Sequence, residues 1–507
     1  MIFDAVLTGL TGVMSPLNLL LIAGGTAIGI FVGAMPGLSA TMAIALLLPL
    51  TFPLPPASGL SMLASLYMGA MYGGSIAAIL LRTPGTPAAA ATVLDGYPMA
   101  RNGQAGKALG VSLVASFIGG LISSIALLTV APVLGKIALE FGPVELFAVA
   151  VLGLTIIASL SRGSTILGLI SGVLGALFAM VGMDNITGVP RFTFGNINLF
   201  SGISFVVALI GLFSIPQAIR LIERKEDPER ELVVNRITDK MLPTWKEFKA
   251  LIVTIVRSSF IGIVVGLIPG TGGDTACWFG YNEAKRFSKH KEKFGTGIPE
   301  GVAAAEAANN AVVGGALIPT ISLGIPGSSS TAVLMGGLMV HGIMPGPSLM
   351  SEYADVTYTL IWAVVLSNFA LLFLGLLLTR MSISVTRVKD RIMAPLIIVL
   401  CVIGSFSINN NIFDVILMFA FGILGYVMDK LKIPTAPMVV GLILGDMFNV
   451  TLHQSLLISH GSWAVFAKNP ISATLLTIAF LSLLQSTPLF SWVRKYGFAK
   501  NGRSSIE

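Results

Sequence analysis

The chain is poor in charged residues, in cysteine and in histidine. Charged residues make up 11% of its 507 residues and hydrophobic residues 54%, whereas soluble domains carry about 25% charge. A soluble protein this apolar would not have enough polar groups to cover its surface. The two cysteines, Cys277 and Cys401, indicate no disulfide framework, and the four histidines show no metal-ligand spacing. The composition therefore excludes an ordinary soluble domain.

Sequence signatures of enzymes and ATPases are missing as well. The glycine-rich segment Gly270-Thr-Gly-Gly-Asp-Thr275 lacks the lysine of a P-loop. Neither the His-Glu-x-x-His pattern of metalloproteases nor the Gly-x-Ser-x-Gly pattern of hydrolases occurs. We therefore expect that the chain is not an enzyme and binds no organic cofactor.

Long apolar runs dominate what is present. Residues 111–130, 363–378 and 471–484 are almost unbroken apolar stretches, and a membrane-spanning helix needs about 20 such residues. We predict an all-α polytopic membrane protein with about 10–12 membrane segments, because lipid leaves helices as the way to satisfy the backbone of such runs. The first sixteen residues contain no Lys or Arg, so we expect no cleavable signal peptide.

Basic residues are concentrated in four places, which predicts the topology. Residues 220–249 hold eight, 285–293 hold five, and 380–391 and 491–507 hold four each. Because cytoplasmic loops collect Lys and Arg, we place all four in the cytoplasm, with the C-terminus inside and the N-terminus outside. The net charge of +7 follows from this distribution and does not indicate a nucleic-acid partner.

Two short motifs occur twice, in the same order. Gly33-Ala-Met-Pro-Gly37 recurs as Gly266-Leu-Ile-Pro-Gly270, and Thr83-Pro-Gly-Thr-Pro87 recurs as Ile325-Pro-Gly-Ser-Ser-Ser330. The loop after the first motif has no basic residue where its counterpart, 285–293, has five. The two copies therefore face opposite ways, which is the inverted repeat with discontinuous helices that many secondary transporters share.

This duplication predicts the organisation of the chain. We expect a first membrane repeat at 1–219, a cytoplasmic linker at 220–249, an inverted second repeat at 250–490 and a cytoplasmic tail at 491–507.

The Pro-Gly breaks are the candidate binding site. Proline and glycine interrupt a helix, and the N-terminus of the half-helix that follows offers unpaired N–H groups and a positive dipole end to an anion. Neighbouring hydroxyl groups add donors that suit a carboxylate. The candidate substrate-binding residues are Pro36, Gly37, Ser39, Thr41, Pro84, Gly85, Thr86, Pro269, Gly270, Thr271, Pro326, Gly327, Ser328, Ser329 and Ser330.

Some polar residues lie where membrane depth makes them costly. Asp274 follows the third Pro-Gly break, and Glu306, Asn309 and Asn310 interrupt a run of small residues at 302–313. Coordination of Na⁺ by Asp274, Asn309 and Asn310 is one interpretation, and hydrogen bonding between helices is the other.

The motifs resemble those of one known family. Residues Leu81–Thr92 with Asp95-Gly-Tyr-Pro-Met-Ala-Arg101, Gly33–Ser39, Gly266–Thr275, Ile298–Asn310 and Leu323–Ser328 are similar to the large membrane subunit of the bacterial tripartite tricarboxylate transporters (TctA). The similarity extends from about residue 15 to about residue 490.

The resemblance implies partners and a function that the residues alone do not. Such a chain imports citrate or another di-, tri- or aromatic carboxylate across the bacterial inner membrane, coupled to Na⁺ or H⁺. A periplasmic binding protein delivers the anion and a small membrane subunit completes the transporter. The resemblance also implies an elevator-like movement of the motif-bearing repeats. Assembly of several copies into a homo-oligomer is compatible with it. The alternative is an ion channel or exchanger on the same inverted-repeat fold.

Overall fold

A computed structural model describes residues 2–160, 165–184, 187–223, 237, 239–385 and 390–485. Ten of the helices in these ranges are long and apolar enough to cross a membrane, and six shorter apolar helices accompany them. The prediction of an all-α polytopic membrane protein is confirmed. The predicted cytoplasmic tail at 491–507 lies outside the described residues, as does most of the segment 224–238 in the predicted linker.

The first half of the chain contains eight helices and one hairpin. They are α1 (Ile2–Val13), α2 (Pro16–Ala34), α3 (Ala40–Leu47), α4 (Pro56–Leu81), α5 (Val93–Arg101), α6 (Ala105–Ala138), α7 (Pro143–Leu160), α8 (Thr165–Ala179) and the short antiparallel strands β1 (Gly182–Met183) and β2 (Pro190–Arg191). Short 3-10 turns lie at Leu48–Thr51, Pro87–Ala89 and Ile197–Leu199.

The second half is helical throughout its described length. It contains α9 (Phe205–Glu223), α10 (Trp245–Leu267), α11 (Gly273–Phe287), α12 (Pro299–Leu323), α13 (Ser329–Val340), α14 (Ala354–Val385), α15 (Asp390–Asn409), α16 (Ile412–Lys430), α17 (Thr435–Ile458), α18 (Val465–Lys468) and α19 (Pro470–Gln485). Further 3-10 turns lie at Lys291–Lys293 and Pro347–Met350.

Four interruptions of the helices fall at the four Pro-Gly motifs. We name them break 1 (residues 35–39, between α2 and α3), break 2 (82–86, after α4), break 3 (268–272, between α10 and α11) and break 4 (324–328, between α12 and α13). The order of long helix, break, short helix, long helix and break is therefore the same in both halves.

The helices α4 and α12 occupy the centre of their part of the fold. The apolar window of each is 100% buried, so neither faces lipid. Their packing is reciprocal, because α4 lies against α2 and α14 while α12 lies against α10 and α6. The two helices therefore hold corresponding places in the two halves.

Glycine allows the closest of these contacts. On α2, a Cβ added to Gly29 would lie 2.3 Å from the carbonyl oxygen of Leu66 on α4, and on α10 a Cβ added to Gly262 would lie 2.2 Å from that of Ala308 on α12. Small residues let helix backbones approach closely. Within a membrane, this close van der Waals packing holds helices together, because lipid provides no hydrophobic driving force between them.

Contacts divide the chain into two compact units. The first comprises Met1–Leu139 and Val206–Tyr426, and it contains all four breaks. The second comprises Glu140–Phe205 and Val427–Glu507, and its described part holds α7, α8 and α17 to α19 together with the hairpin. Each predicted repeat contributes residues to both units. The boundaries of the repeats along the chain therefore do not coincide with the boundaries of the compact units.

The described end of the linker is attached to the first unit. The Asp239 carboxylate accepts the backbone N–H groups of Gly106, at 2.7 Å, and of Lys107, at 2.9 Å, and so caps the N-terminus of α6. The Lys107 ammonium lies 2.5 Å from the Glu247 carboxylate at the start of α10. This end of the linker therefore holds the beginnings of α6 and α10 together.

Candidate functional site

Each break contains a residue in the left-handed backbone conformation. In breaks 1 and 3 the glycine after proline has a left-handed φ, 94° at Gly37 and 81° at Gly270. In breaks 2 and 4 the helix ends on a left-handed residue, Arg82 at 56° and Gly324 at 71°. Glycine adopts this conformation freely, whereas an arginine in it is uncommon. The equivalent positions in the two halves thus share their geometry.

Within each half, one break packs against the end of the helix that leads into the other break. A Cβ added to Gly85 in break 2 would lie 2.0 Å from the carbonyl oxygen of Gly33, where α2 approaches break 1. In the second half, a Cβ added to Gly327 would lie 2.6 Å from the carbonyl oxygen of Gly266, and the Gly270 N–H donates to the Gly327 carbonyl at 3.0 Å. Glycine is required at both positions for this approach.

Two further contacts join the halves. The hydroxyls of Thr41, in the first turn of α3, and Ser330, in the first turn of α13, lie 2.9 Å apart. A Cβ added to Gly273, at the start of α11, would lie 3.1 Å from Cβ of Ala88, just after break 2. The four breaks therefore form one group, which we call the break cluster, defined as breaks 1 to 4 and the first turns of α3, α11 and α13.

The half-helix N-termini in the break cluster differ in how they are capped. Ser39 caps α3 by accepting the N–H of Met42 at 3.2 Å, and Ser328 caps α13 by accepting the N–H of Thr331 at 3.2 Å. At α11 the capping position is Gly272, which has no side chain to accept. The first N–H groups of α11 are thus left without a side-chain cap.

Break 2 differs from the expectation drawn from its sequence. A short 3-10 turn, Pro87–Ala89, follows it, and α5 begins only at Val93. Proline at position 87 fixes its own φ and offers no N–H group. The expected half-helix N-terminus after Gly85 is consequently displaced by several residues along the chain.

Three buried polar atoms of predicted site residues have no hydrogen-bond partner among the described residues. They are Oγ1 of Thr86, Oδ1 of Asn309 and Oδ1 of Asn310. The amide nitrogen of Asn309 donates to the Met71 carbonyl at 3.1 Å, which fixes the orientation of its oxygen. That oxygen lies 2.7 Å from where a Cβ on Gly273 would be. An open acceptor therefore lies beside the uncapped start of α11.

Acidic side chains surround the same region. Asp274 stands in the first turn of α11. The fully buried Glu306 carboxylate accepts a hydrogen bond from Thr92 Oγ1 and another from Ser116 Oγ at 3.3 Å. Among the described residues, no three His, Cys, Asp or Glu side chains lie close enough together to hold a metal ion. A cation here would depend on amide, hydroxyl and carbonyl oxygens.

The structure brings most of the predicted site residues into one region of the fold. The predicted residues of the four breaks come together, although the Thr271 hydroxyl turns back to the Ile268 carbonyl at 2.9 Å. Tyr67 of α4 lies in the same region, with its hydroxyl 3.2 Å from Ser328 Oγ, but the sequence did not single it out. The sequence signal that could have identified Tyr67 is the presence of a tyrosine hydroxyl in the apolar helix α4.

Comparison with known proteins gives the family. The model of the tripartite tricarboxylate transporter TctA family matches residues 19–440. An uncharacterized 52.8 kDa protein from the TAR-I ttuC' 3' region of Agrobacterium vitis is 37% identical over 470 residues, 93% of either chain.

A second Agrobacterium vitis protein, from the TAR-II ttuC' 3' region, is 34% identical over 223 residues. The match covers 44% of this chain and 92% of that protein. No solved structure matches significantly. The matched span contains all four breaks and the whole of eight of the ten helices that are long enough to cross a membrane. The chain belongs to the TctA family and is a multi-pass membrane subunit of a tripartite tricarboxylate transporter.

Proposed function

We propose that this chain imports a small carboxylate into the cell and that the break cluster binds it. The observation that supports this most strongly is the N-terminus of α11, which has no side-chain cap and lies next to break 2, where the buried Thr86 hydroxyl has no partner among the described residues. Free N–H groups and a positive helix end attract an anion without placing a permanent positive charge in lipid. The substrate is a tricarboxylate such as citrate, or a di- or aromatic carboxylate.

The proposed coupling ion is Na⁺ or H⁺. Asp274 places a negative charge close to the proposed anion site, so a substrate anion and this carboxylate repel each other unless a cation is bound as well. For Na⁺, the proposed ligands are Asp274 and the amide oxygens of Asn309 and Asn310. The two amide oxygens are buried acceptors that have no hydrogen-bond partner among the described residues. Half-helix ends and unwound carbonyls serve this purpose in other secondary transporters.

The other subunits supply capture and support. We propose that a periplasmic binding protein delivers the anion to the outer face of the chain in the bacterial inner membrane. A small membrane subunit completes the transporter. The positive-inside distribution of Lys and Arg supports this orientation.

A carrier suits the geometry better than a channel does. The Thr41–Ser330 and Tyr67–Ser328 contacts close the break cluster with direct side-chain bonds between the halves. A channel requires a continuous polar path, whereas α4 and α12 pass through the cluster with wholly buried apolar windows. We propose that the motif-bearing helices move as an elevator-like unit.

Uptake of labelled citrate tests the proposal. The chain and its small subunit are reconstituted in vesicles without ATP, with binding protein outside, and an inward Na⁺ gradient is compared with none and with an inward H⁺ gradient. We expect uptake that requires both one gradient and the binding protein. Downhill flux that is independent of the binding protein and saturates at no concentration would favour the channel instead.

Substitution of Asn309 tests the cation site. Asn309→Ala should raise the Na⁺ concentration for half-maximal uptake by at least about tenfold, because a lost bond to a charged group costs roughly 1.5–3 kcal/mol. Asn18→Ala is the matched control, since Asn18 also has an unpartnered buried Oδ1 and donates to one carbonyl, that of Gly12 at 2.8 Å, but lies outside the break cluster. Equal effects of the two substitutions on the Na⁺ dependence would remove Asn309 from the site.

A further inference from the structure

An apolar groove runs along α10 on the surface of the first unit. It has a volume of about 900 Å³ and is lined by aliphatic and aromatic side chains of α10 and by Phe279 of α11. Several lining side chains are largely exposed, with Val253 at 69%, Phe260 at 58% and Phe279 at 56%. Because α10 is long and apolar enough to cross the membrane, this groove is open to lipid tails.

A polar pocket adjoins one end of the groove. It has a volume of about 550 Å³, and Val253 and Arg257 line both the pocket and the groove. Lys289 and His290, from the connection between α11 and α12, line the pocket on the other side. This connection is part of the basic segment 285–293, which the distribution of charge places in the cytoplasm.

The acidic groups of the pocket are already engaged. The Glu247 carboxylate pairs with the Lys107 ammonium at 2.5 Å. The Glu300 carboxylate accepts hydrogen bonds from Ser288 Oγ at 2.7 Å and from Thr254 Oγ1 at 3.1 Å. Lys107 neutralises Glu247, so Arg257 and Lys289 together exceed the one remaining negative charge of the pocket, that of Glu300.

The cations of the pocket lack such partners. The Arg257 guanidinium lies 4.8 Å from the ring centre of Phe287, and its buried Nε has no hydrogen-bond partner among the described residues. No salt bridge joins Arg257 or Lys289 to an acidic residue in the part of the chain that the structure describes. An arginine next to hydrocarbon is costly unless an anion pairs with it.

We propose that this groove and pocket bind an anionic phospholipid of the cytoplasmic leaflet. The lipid phosphate pairs with Arg257 and Lys289, and one acyl chain lies along the apolar side of α10. The arginine fork matches a phosphate geometrically, and basic pockets between transmembrane helices on the cytoplasmic side are a recurring kind of lipid site. The proposal does not depend on which substrate the chain carries.

Charge argues against a second copy of the chain as the occupant. A two-fold interface would bring the same surface of both copies together, and like charges facing each other across an interface are unfavourable. An anionic lipid instead complements the excess positive charge and fills the apolar groove with the same molecule.

Native mass spectrometry of the purified full-length chain tests this site. The delipidated protein in detergent is titrated with dioleoylphosphatidylglycerol or with dioleoylphosphatidylcholine. We expect tighter retention of phosphatidylglycerol. Because one basic residue contributes about fivefold to the binding of an anionic lipid, Arg257→Gln should weaken retention about fivefold and Arg257→Gln with Lys289→Gln about 25-fold if the two act independently.

The control variant is Arg286→Gln. It removes the same charge one residue from Phe287, but Arg286 lies outside both cavities and its side chain is 74% exposed. Retention of phosphatidylglycerol should be unchanged in this variant. Equal retention of the two lipids by the wild-type chain would overturn the proposal, as would an equal loss in all variants. Competition by sn-glycerol 3-phosphate as strong as that by the lipid would also overturn it, in favour of a soluble phosphate ligand. A stable dimer that excludes added lipid would overturn it in favour of a second copy.

Discussion

Replacing Gly85 with alanine should reduce carboxylate uptake by about 100-fold, the cost of misplacing reacting or binding groups by about 1 Å. The added Cβ would lie 2.0 Å from the Gly33 carbonyl oxygen and 2.9 Å from Cα of Gly74. Both atoms belong to the backbone of helices packed along their length, so no side chain can turn aside to make room. Overpacking of this kind costs about 1–3 kcal/mol, and here the strain falls within the break cluster.

The loss of uptake should be larger for the substitution in the first half than for the equivalent substitution in the second half. At Gly327 the added Cβ would lie 2.6 Å from both the Gly266 carbonyl oxygen and Cα of Ala316. Gly327→Ala should therefore impair uptake less than Gly85→Ala. Gly24→Ala is the control, because Gly24 lies on α2 and an added Cβ meets nothing within 4 Å.

The measurement is the initial rate of uptake in vesicles, normalised to the amount of folded protein from size-exclusion chromatography. Normal rates for both Gly85→Ala and Gly327→Ala would show that the breaks are not part of the transport site. A loss of rate in Gly24→Ala as large as in these variants would show that uptake is sensitive to any change in the packing of α2.

The sequence was sufficient to place the breaks because they are local events. Proline removes a donor and glycine permits a left-handed φ, so Pro36–Gly37 and Pro269–Gly270 end their helices whatever surrounds them. The expectation of a half-helix directly after Gly85 was wrong, because Pro87 and the 3-10 turn delay the next helix until Val93.

Contacts between distant residues could not be foreseen. Thr41 and Ser330 are 289 positions apart, and their contact depends on how two half-helices cross. Serine is a preferred N-cap residue, but the sequence does not fix the first residue of each half-helix, and only the structure places Ser39, Ser328 and Gly272 at the capping positions. Capping depends on the conformation of one residue, which packing decides.

Asp95 is another residue whose importance only the structure reveals. It lies in the first turn of α5 and is fully buried. Its Oδ1 accepts three backbone N–H groups, from Gly295 and Gly297 at 2.9 Å and from Ile298 at 3.0 Å. Its Oδ2 accepts the hydroxyl of Tyr281 at 2.8 Å. One carboxylate thus ties the first half to the connection that leads into α12.

Asp95→Ala should destabilise the protein by about 2–3 kcal/mol, because hydrogen bonds to a charged group contribute about 1.5–3 kcal/mol each, while water can replace part of this at Gly295, which is exposed, and at Gly297 and Ile298, which are half-buried. Three N–H groups lose their acceptor at once, at a connection where Gly295 and Gly297 already have left-handed φ values of 90° and 109°. Thermal unfolding of the purified chain in detergent should show a clear loss of stability, together with loss of uptake, since α12 carries Asn309 and Asn310 of the proposed cation site.

Two further variants separate the hydrogen bonds from the volume of the side chain. Asp95→Asn keeps an oxygen for the three N–H groups and can donate its amide hydrogen to the Tyr281 hydroxyl, so it should recover most of the stability. Tyr281→Phe removes a single bond and should cost about 1 kcal/mol. Asp414→Ala is the control, because this buried carboxylate accepts one side-chain bond, from Asn409 at 2.8 Å, and its loss should be far milder. If Asp95→Ala unfolds at the wild-type temperature, or if Asp95→Asn is as unstable as Asp95→Ala, the N–H groups at residues 295–298 do not depend on this carboxylate, and other contacts hold the connection to α12 in place.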